Sequence, residues 1–201
     1  TTRKFQMLVD GAWIDAASGR TYESRYPATG EVWSVLPDAD EADADRAVRA
    51  ADAAFRRPAW RGLTATARGK LLRRLGDLVA EHAGELAELE TQDNGKLIRE
   101  TRGQLAYLPE FFHYSAGLAD KLEGSTLPID KADMFAFTIP APLGAVAAIV
   151  PWYSPLYLTA INLAPAPAAG NTIVIKPPEH AYARILRFAD PVAEAGFPAG
   201  V

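Results

Sequence analysis

The sequence contains no cysteine among its 201 residues. That absence excludes disulfide bonds, thiolate metal ligands and every cysteine nucleophile from these residues. Histidine is nearly as scarce, because His82, His113 and His180 are the only three and stand too far apart for a compact metal motif. The sequence therefore predicts no metal centre.

Long apolar runs and dense basic segments are missing as well. The longest apolar run, residues 145–152, is far shorter than the roughly 20 residues of a membrane-spanning helix, and no apolar leader opens the chain. The net charge is −4, and the 21 basic residues form no basic face. We therefore expect a cytoplasmic protein that binds neither nucleic acid nor a membrane.

What the sequence does contain is ample core material, with 49% hydrophobic and 23% charged residues. Its first forty residues hold short β-prone runs separated by turn dipeptides such as Asp10-Gly11, which predicts a small antiparallel meander. Helical periodicity follows: Asp40 is a candidate N-cap, Thr64 opens a longer helix, and Asn94-Gly95 is the stop of that helix. A further helix over residues 99–118 is expected to bend or restart at Pro109.

A second change of pattern occurs near Gly124. Residues 125–129 and 135–139 predict a hairpin, and two apolar strands then alternate with two helices. The four elements are expected at residues 144–150, 155–169, 171–175 and 181–195. The first strand has the composition of one buried on both faces, and the alternation predicts a doubly wound parallel sheet. Two strands do not complete such a sheet.

The sequence divides accordingly into three parts. Residues 1–123 form N-terminal strands and helices, 124–140 the hairpin, and 141–201 the first part of a dinucleotide-binding domain.

Polar residues follow both predicted parallel strands, where ligands bind to open α/β sheets. Pro151 and Trp152 end the first strand, and Lys176 to Glu179 end the second. A carboxylate at Glu179 suits a ribose diol and would repel a 2′-phosphate, which favours NAD over NADP. The alternative is that Lys176 and Glu179 are ordinary loop charges, since no G-x-G-x-x-G follows the first strand.

Several segments carry a resemblance to a known family. The stretch A-I-V-P-W-Y-S-P-L and the later L-A-P-A-P-A-A-G-N-T-I-V-I-K-P-P-E resemble the cofactor-domain signature of the NAD(P)-dependent aldehyde dehydrogenases. The runs D-G-A-W-I-D-A-A-S-G-R-T-Y-E, E-L-A-E-L-E-T-Q-D-N-G-K and P-L-G-A-V-A-A-I-V are similar to other parts of that family, in the same order. The resemblance implies an α/β fold in which an N-terminal β meander and helices lead into an incomplete, doubly wound, Rossmann-like sheet.

The resemblance also implies a function. The family oxidises an aldehyde to a carboxylic acid: a Cys thiolate attacks the aldehyde, hydride passes to the nicotinamide, and a Glu-activated water releases the acid. The cofactor is expected to be NAD, with NADP less favoured. The cofactor-binding positions implied are Ile149, Pro151, Trp152, Lys176 and Glu179.

The remaining implications concern assembly and catalysis. The hairpin around residues 127–139 resembles the family's oligomerisation strands and implies a homo-oligomer. The catalytic Cys and Glu have no match within residues 1–201 and are expected beyond them, so this chain alone is predicted to be inactive.

Three residues depart from the family pattern within the signature. Tyr153 occupies the position of an Asn whose amide helps form the oxyanion hole, and a tyrosine ring does not reproduce that amide geometry. Asn162 replaces a usual Lys, and Pro167 replaces an apolar residue close to Pro165. No catalytic residue is therefore assigned here.

Two functions remain open. The chain is the amino-terminal part of an aldehyde dehydrogenase, or it is a truncated, non-catalytic homologue that acts as a binding or assembly partner. The absence of Cys and the presence of Tyr153 favour the second for the chain taken literally, and a longer polypeptide would reconcile the two. The aldehyde is not specified: aromatic side chains at Tyr107, Phe111, Phe112 and Tyr157 suit either a substrate lining or core packing.

Overall fold

The computed structural model describes residues 2–201, and the chain begins there with five short strands. They are β1 (Arg3–Lys4), β2 (Met7–Val9), β3 (Ala12–Ile14), β4 (Thr21–Arg25) and β5 (Val32–Pro37). The β2–β3 and β4–β5 pairs are antiparallel, as predicted, and Gly11 turns the first pair with a φ of +75°. The expected meander does not describe β1, which pairs in parallel with β5. Parallel pairing needs a long connection, and the β2–β3 hairpin and strand β4 lie between these two strands.

Three helices follow, and the starts predicted at Asp40 and Thr64 and the stop predicted at Gly95 are confirmed. Helix α1 (Glu41–Arg56) begins after Asp40, whose carboxylate accepts from the Ala42 amide at 3.0 Å. After the short α2 (Pro58–Arg61), helix α3 (Ala65–Asn94) is capped by Thr64. It ends at Gly95, whose φ of +75° is the left-handed conformation common after a helix.

Helix α4 (Ile98–Leu118) packs against α3 and continues through Pro109 as one helix, so of the expected bend or restart the restart does not occur. Two glycines of α3 allow this packing. A Cβ at Gly69 would lie 2.8 Å from the Ala116 carbonyl oxygen, and one at Gly76 would lie 2.6 Å from the His113 ring. Glycine costs an α-helix about 1 kcal/mol relative to alanine, and here it permits the close approach of a neighbouring helix.

The predicted hairpin forms as β6 (Thr126–Leu127) and β7 (Ala136–Phe137), paired antiparallel. Its apolar side chains are largely uncovered within residues 2–201: Phe135 is 74% exposed and Ile139 75% exposed. Phe135 and Phe137 contact each other with ring centroids 5.6 Å apart.

The last part of the chain alternates strands and helices. It contains β8 (Ala145–Ile149), α5 (Pro155–Leu163), α6 (Pro165–Ala168), β9 (Thr172–Lys176) and α7 (Ala183–Glu194), and β8 pairs with β9 in parallel. The single helix expected over 155–169 is interrupted, because Pro165 has no amide hydrogen to donate and instead begins a new short helix.

The expectation that β8 is buried on both faces is wrong for residues 2–201. Val146 is half-buried and Ala148 is buried on one face, whereas Ala145, Ala147 and Ile149 on the other face are exposed. The apolar composition of β8 suits burial on both sides, but the described residues cover only one. Ile149 is 78% exposed at the carboxyl end of the strand.

The main core lies where α3, α4, α5 and α7 meet. Its fully buried side chains include Leu72, Leu75, Leu105, Phe112, Leu156 and Phe188. The fold is therefore of the predicted α/β class, with helices packed beside a small parallel sheet. Among the helices of residues 2–201, none combines the length and apolar character that crossing a membrane requires.

Candidate functional site

The carboxyl ends of β8 and β9 lie side by side. Ile149 pairs with Lys176 in the parallel register, and the Val150 amide donates to the Lys176 carbonyl oxygen at 3.0 Å. The loops that follow the two strands therefore begin at the same edge of the sheet. This edge carries all five residues expected to bind the cofactor.

Lys176 and Glu179 form an ion pair at this edge. Lys176 Nζ donates to Glu179 Oε1 at 2.7 Å, and both side chains are exposed. The hydrogen bond from Lys176 lowers the pKa of Glu179, so the carboxylate is ionised at neutral pH. An exposed pair of this kind contributes little to folding. Both groups are thus accessible to a ligand.

The loop after β8 presents aromatic rings to the same region. Trp152 is 56% exposed and Tyr153 is 57% exposed, while Pro151 is half-buried. Ser154 ends the loop as the N-cap residue of α5, yet its hydroxyl makes no capping hydrogen bond to that helix. The hydroxyl is engaged elsewhere.

Ser154 is held by Lys96, a residue to which the sequence analysis assigned no role. Lys96 Nζ donates to Ser154 Oγ at 2.8 Å and to Gln104 Oε1 at 2.8 Å. Lys96 directly follows the Gly95 stop of α3, and 58 positions separate it from Ser154. No local sequence pattern signals a contact of that span. The ammonium ties the β8–α5 loop to α4.

A groove opens beside this contact, between the first turns of α4 and helix α5. It has a volume of about 470 Å³, and its wall includes Lys96, Arg99, Gln104, Tyr107 and Tyr157. Phe111 packs edge-on against both tyrosines and supports them from behind, whereas Phe112 belongs to the core. Of the four aromatic residues considered from the sequence, two therefore line a groove.

Behind the strand edge lies a buried charged cluster that sequence reasoning also missed. Arg184 is 0% exposed and donates through Nη1 to the Glu90 carbonyl oxygen at 2.8 Å. It also lies 3.9 Å from the Asp93 carboxylate, which accepts from Ser24 Oγ at 2.8 Å. The side-chain oxygens of Glu90 make no hydrogen bond within residues 2–201.

Burial dominates the protonation of this cluster. Loss of solvation raises the pKa of Glu90 and of Asp93, although the Arg184 charge opposes both shifts. The charge of Lys96, like that of Arg184, acts to lower the pKa of Glu90. The positive charges reduce the cost of burying these carboxylates and do not remove it.

Glu90→Gln is expected to make the free energy of unfolding less dependent on pH. Because the pKa of Glu90 is raised in the folded state, its stabilising contribution is complete below its ordinary pKa of 4.5 and is lost as the pH rises through the folded pKa. The free energy of unfolding should therefore fall with pH more steeply in the parent than in the variant, by about 1.4 kcal/mol for each unit of pKa elevation.

Urea unfolding from about pH 4 to about pH 8 measures this difference. Glu88→Gln, which alters an exposed carboxylate on the same helix, is the matched control. Parallel profiles for the parent and Glu90→Gln would contradict the expectation.

Within residues 2–201, no group of three or more His, Cys, Asp or Glu side chains is arranged to hold an ion.

Comparison with known proteins gives a consistent result. Residues 13–201 match the model of the aldehyde dehydrogenase family. A protein of Acinetobacter baylyi named (Z)-2-((N-methylformamido)methylene)-5-hydroxybutyrolactone dehydrogenase is 52% identical over 199 residues, which are 99% of this chain and 40% of that protein. The chain thus spans about two fifths of the length of the curated relatives it matches.

Solved structures agree in fold. An NAD-dependent aldehyde dehydrogenase of Sinorhizobium meliloti superposes with a TM-score of 0.95 at 35% identity, covering 100% of this chain and 40% of its own. An NADP-dependent enzyme of E. coli superposes with a TM-score of 0.94 at 35% identity, covering 99% and 41%. Neighbours of both cofactor types are therefore equally similar.

Proposed function

Because the chain belongs to the aldehyde dehydrogenase family, we propose that it supplies the dinucleotide-binding edge of an enzyme that oxidises an aldehyde to a carboxylic acid with NAD⁺. The parallel pairing of β8 and β9 carries this proposal, since it brings Trp152, Tyr153, Lys176 and Glu179 to one edge. Ligands of open parallel sheets bind at that edge.

The residues at the edge fit a dinucleotide. Glu179 Oε1 accepts from Lys176, which leaves Oε2 for ribose hydroxyls, and Lys176 supplies a cation beside it. The exposed side chains of Ile149 and Trp152, with Pro151 between them, offer apolar surface for a base or ring. When bound, NAD⁺ accepts the hydride that leaves the substrate.

Glu179→Gln is expected to weaken NAD⁺ binding about tenfold, because the amide loses the charge-assisted hydrogen bonds to the ribose. The ionised carboxylate also repels a 2′-phosphate, so the parent should prefer NAD⁺ over NADP⁺ and the variant should lose much of that preference. Isothermal titration with both dinucleotides measures the two affinities.

Glu194→Gln is the control for this titration, because it changes an exposed carboxylate on α7 that pairs with Arg74. Unchanged NAD⁺ affinity in Glu179→Gln would remove this residue from the site. Equal affinity of the parent for NAD⁺ and NADP⁺ would overturn the cofactor preference.

The hairpin supports a role in self-association. Phe135, Phe137 and Ile139 expose apolar surface on two short strands, and exposed apolar patches of this kind mark contact surfaces. We therefore keep the division into 1–123, an oligomerisation hairpin at 124–140, and the first part of the cofactor domain at 141–201.

Chemical turnover needs a nucleophile that residues 1–201 lack, since they contain no cysteine. These residues alone are therefore proposed to bind the dinucleotide without oxidising an aldehyde. The alternative of a non-catalytic assembly partner gains no support from the comparisons, because the relative from Acinetobacter baylyi is named a dehydrogenase.

A further inference from the structure

Resting on the function proposed above, we propose that Tyr22 is a positioning residue for the dinucleotide. Tyr22 lies on β4, and its hydroxyl holds the backbone of Glu179, whose carboxylate is the proposed ribose contact. A strand near the start of the chain thereby sets the affinity for NAD⁺ and the preference for NAD⁺ over NADP⁺. Tyr22 exerts this effect through Glu179.

The loop that follows β9 has little support from its own backbone. Within residues 2–201, positions 177–181 make no backbone–backbone hydrogen bond. Two side chains outside these positions hold its carbonyl groups instead. Arg184 donates to the Ala181 carbonyl oxygen, and the Tyr22 hydroxyl donates to the Glu179 carbonyl oxygen at 3.2 Å. Because the second contact is at Glu179 itself, it acts directly on the residue that carries the carboxylate.

Tyr22 is itself held in place by packing. Its ring stacks on the ring of Tyr182, with centroids 6.1 Å apart and planes 17° apart. It also packs against a buried cluster that contains Tyr182 and the fully buried Leu36, its partner in the β4–β5 register. Tyr182 immediately precedes α7 and closes the loop. Tyr22 therefore contacts the loop at two points, through its hydroxyl at Glu179 and through its ring at Tyr182.

The Tyr22 hydroxyl keeps its proton and is therefore a donor at neutral pH. Burial is the main cause that raises the pKa of Tyr22, and the negative charge of Glu179 acts in the same direction. A carbonyl oxygen only accepts, so the hydrogen bond depends on this O–H. Phenylalanine at the same position would retain the stacked ring and lose the donor.

The Glu179 carboxylate needs such an anchor because its side chain is 77% exposed. Its contact with Lys176 is an exposed ion pair, which orders a side chain only weakly. A binding group whose backbone is already fixed loses less conformational entropy when the ligand arrives. Anchoring the main chain of Glu179 therefore strengthens ribose binding. It also keeps the negative charge where the 2′-phosphate of NADP⁺ would lie, which disfavours that dinucleotide.

Tyr22→Phe tests this role, since it removes the donor and keeps the ring. Isothermal titration of the 201-residue chain with NAD⁺ and with NADP⁺ measures both affinities. NAD⁺ should bind about fivefold more weakly to the variant than to the parent, which is the usual effect of one hydrogen bond. NADP⁺ should bind no more weakly, because a freed carboxylate is able to turn away from the 2′-phosphate. A general loss of structure would weaken both dinucleotides equally.

A double-mutant cycle determines whether the effect of Tyr22 depends on Glu179. In a Glu179→Gln background, Tyr22→Phe should change the NAD⁺ affinity by less than about twofold, because the group that Tyr22 positions is already impaired. Tyr26→Phe is the matched control, since Tyr26 packs against the same buried cluster, and it should keep both affinities. Urea unfolding of each variant establishes that it is folded under the conditions of the titration.

Four results would overturn the positioning role. They are an unchanged NAD⁺ affinity in Tyr22→Phe, an equal loss of NAD⁺ and NADP⁺ affinity, the same loss in Tyr26→Phe, and an effect of Tyr22→Phe that is as large in the Glu179→Gln background as in the parent. Each of them leaves the proposed function standing as long as the parent binds NAD⁺. Absence of NAD⁺ binding by the parent would instead overturn the proposed function, and the role of Tyr22 with it.

Discussion

Arg184→Met is expected to lower the free energy of unfolding by about 3–5 kcal/mol, the usual cost of removing one partner from a buried charged cluster. The guanidinium is fully buried and donates to backbone carbonyls of Glu90 and Ala181. Methionine fills much of the volume but makes none of these bonds. It would also leave the buried carboxylates of Glu90 and Asp93 without their nearest positive charge.

Urea unfolding at neutral pH measures this loss, and two variants serve as references. Arg49→Ala breaks an exposed i,i+4 pair with Asp45 and should change stability little. Arg184→Lys keeps the charge without the planar set of donors and should fall between the parent and Arg184→Met. If Arg184→Met were as stable as Arg49→Ala, the cluster would contribute nothing to folding.

Arg184→Met should also affect the loop that follows β9 at the edge of the sheet. Ala181 has a φ of +80°, a left-handed conformation that non-glycine residues seldom adopt, and two Arg184 donors hold its carbonyl at 3.1 and 3.2 Å. Ala181 lies two residues after Glu179, so releasing this carbonyl frees the loop that carries the proposed ribose contact. Arg184→Met should therefore weaken NAD⁺ binding under conditions in which it is still folded.

Local signals account for the parts of the fold that the sequence predicted well. The caps at Asp40 and Thr64 and the stop at Gly95 each depend on a few adjacent residues, and the helix ends follow them. The parallel strands were also predictable, because their apolar runs alternate with helical periodicity. The parallel pairing of β1 with β5 was not, since it depends on distant parts of the chain.

In the candidate site, too, features set by adjacent residues were predictable and contacts between distant residues were not. The position of Lys176 and Glu179 was predictable, because residues at the ends of parallel strands meet at one edge. Lys96, Glu90 and Arg184 were missed, because the contacts of Lys96 with Ser154 and of Arg184 with Glu90 join residues 58 and 94 positions apart along the chain. A lysine after a helix stop and an arginine in a helical first turn are ordinary surface residues by pattern alone. Only the packing of distant segments makes Lys96 a link between the β8–α5 loop and α4, and Arg184 a buried cation.

Tyr153→Asn is expected to raise kcat by about 10²–10³ in a protein that also carries the thiol nucleophile, which is the usual contribution of one oxyanion-hole donor. The suitable background is a chimera that joins residues 1–201 to the carboxyl-terminal segment of the 52% identical Acinetobacter baylyi relative. An asparagine amide presents an N–H close to the backbone, whereas the phenol of Tyr153 lies at the end of a rigid ring. NADH formation from an aldehyde measures the rate. Residues 1–201 alone serve as the negative control, for which no NADH formation is expected.

The effect of Tyr153→Asn should lie in kcat more than in KM, because an oxyanion donor acts on charge that develops in the transition state. Tyr114→Asn makes the same chemical change at an exposed position of α4 and should leave the rate unaltered. Tyr153→Phe tests whether the hydroxyl of Tyr153 is itself an oxyanion donor or contributes nothing to the rate. If Tyr153→Phe slows the chimera while Tyr153→Asn fails to accelerate it, the tyrosine hydroxyl is itself the donor. The departure from asparagine would then be a working substitution.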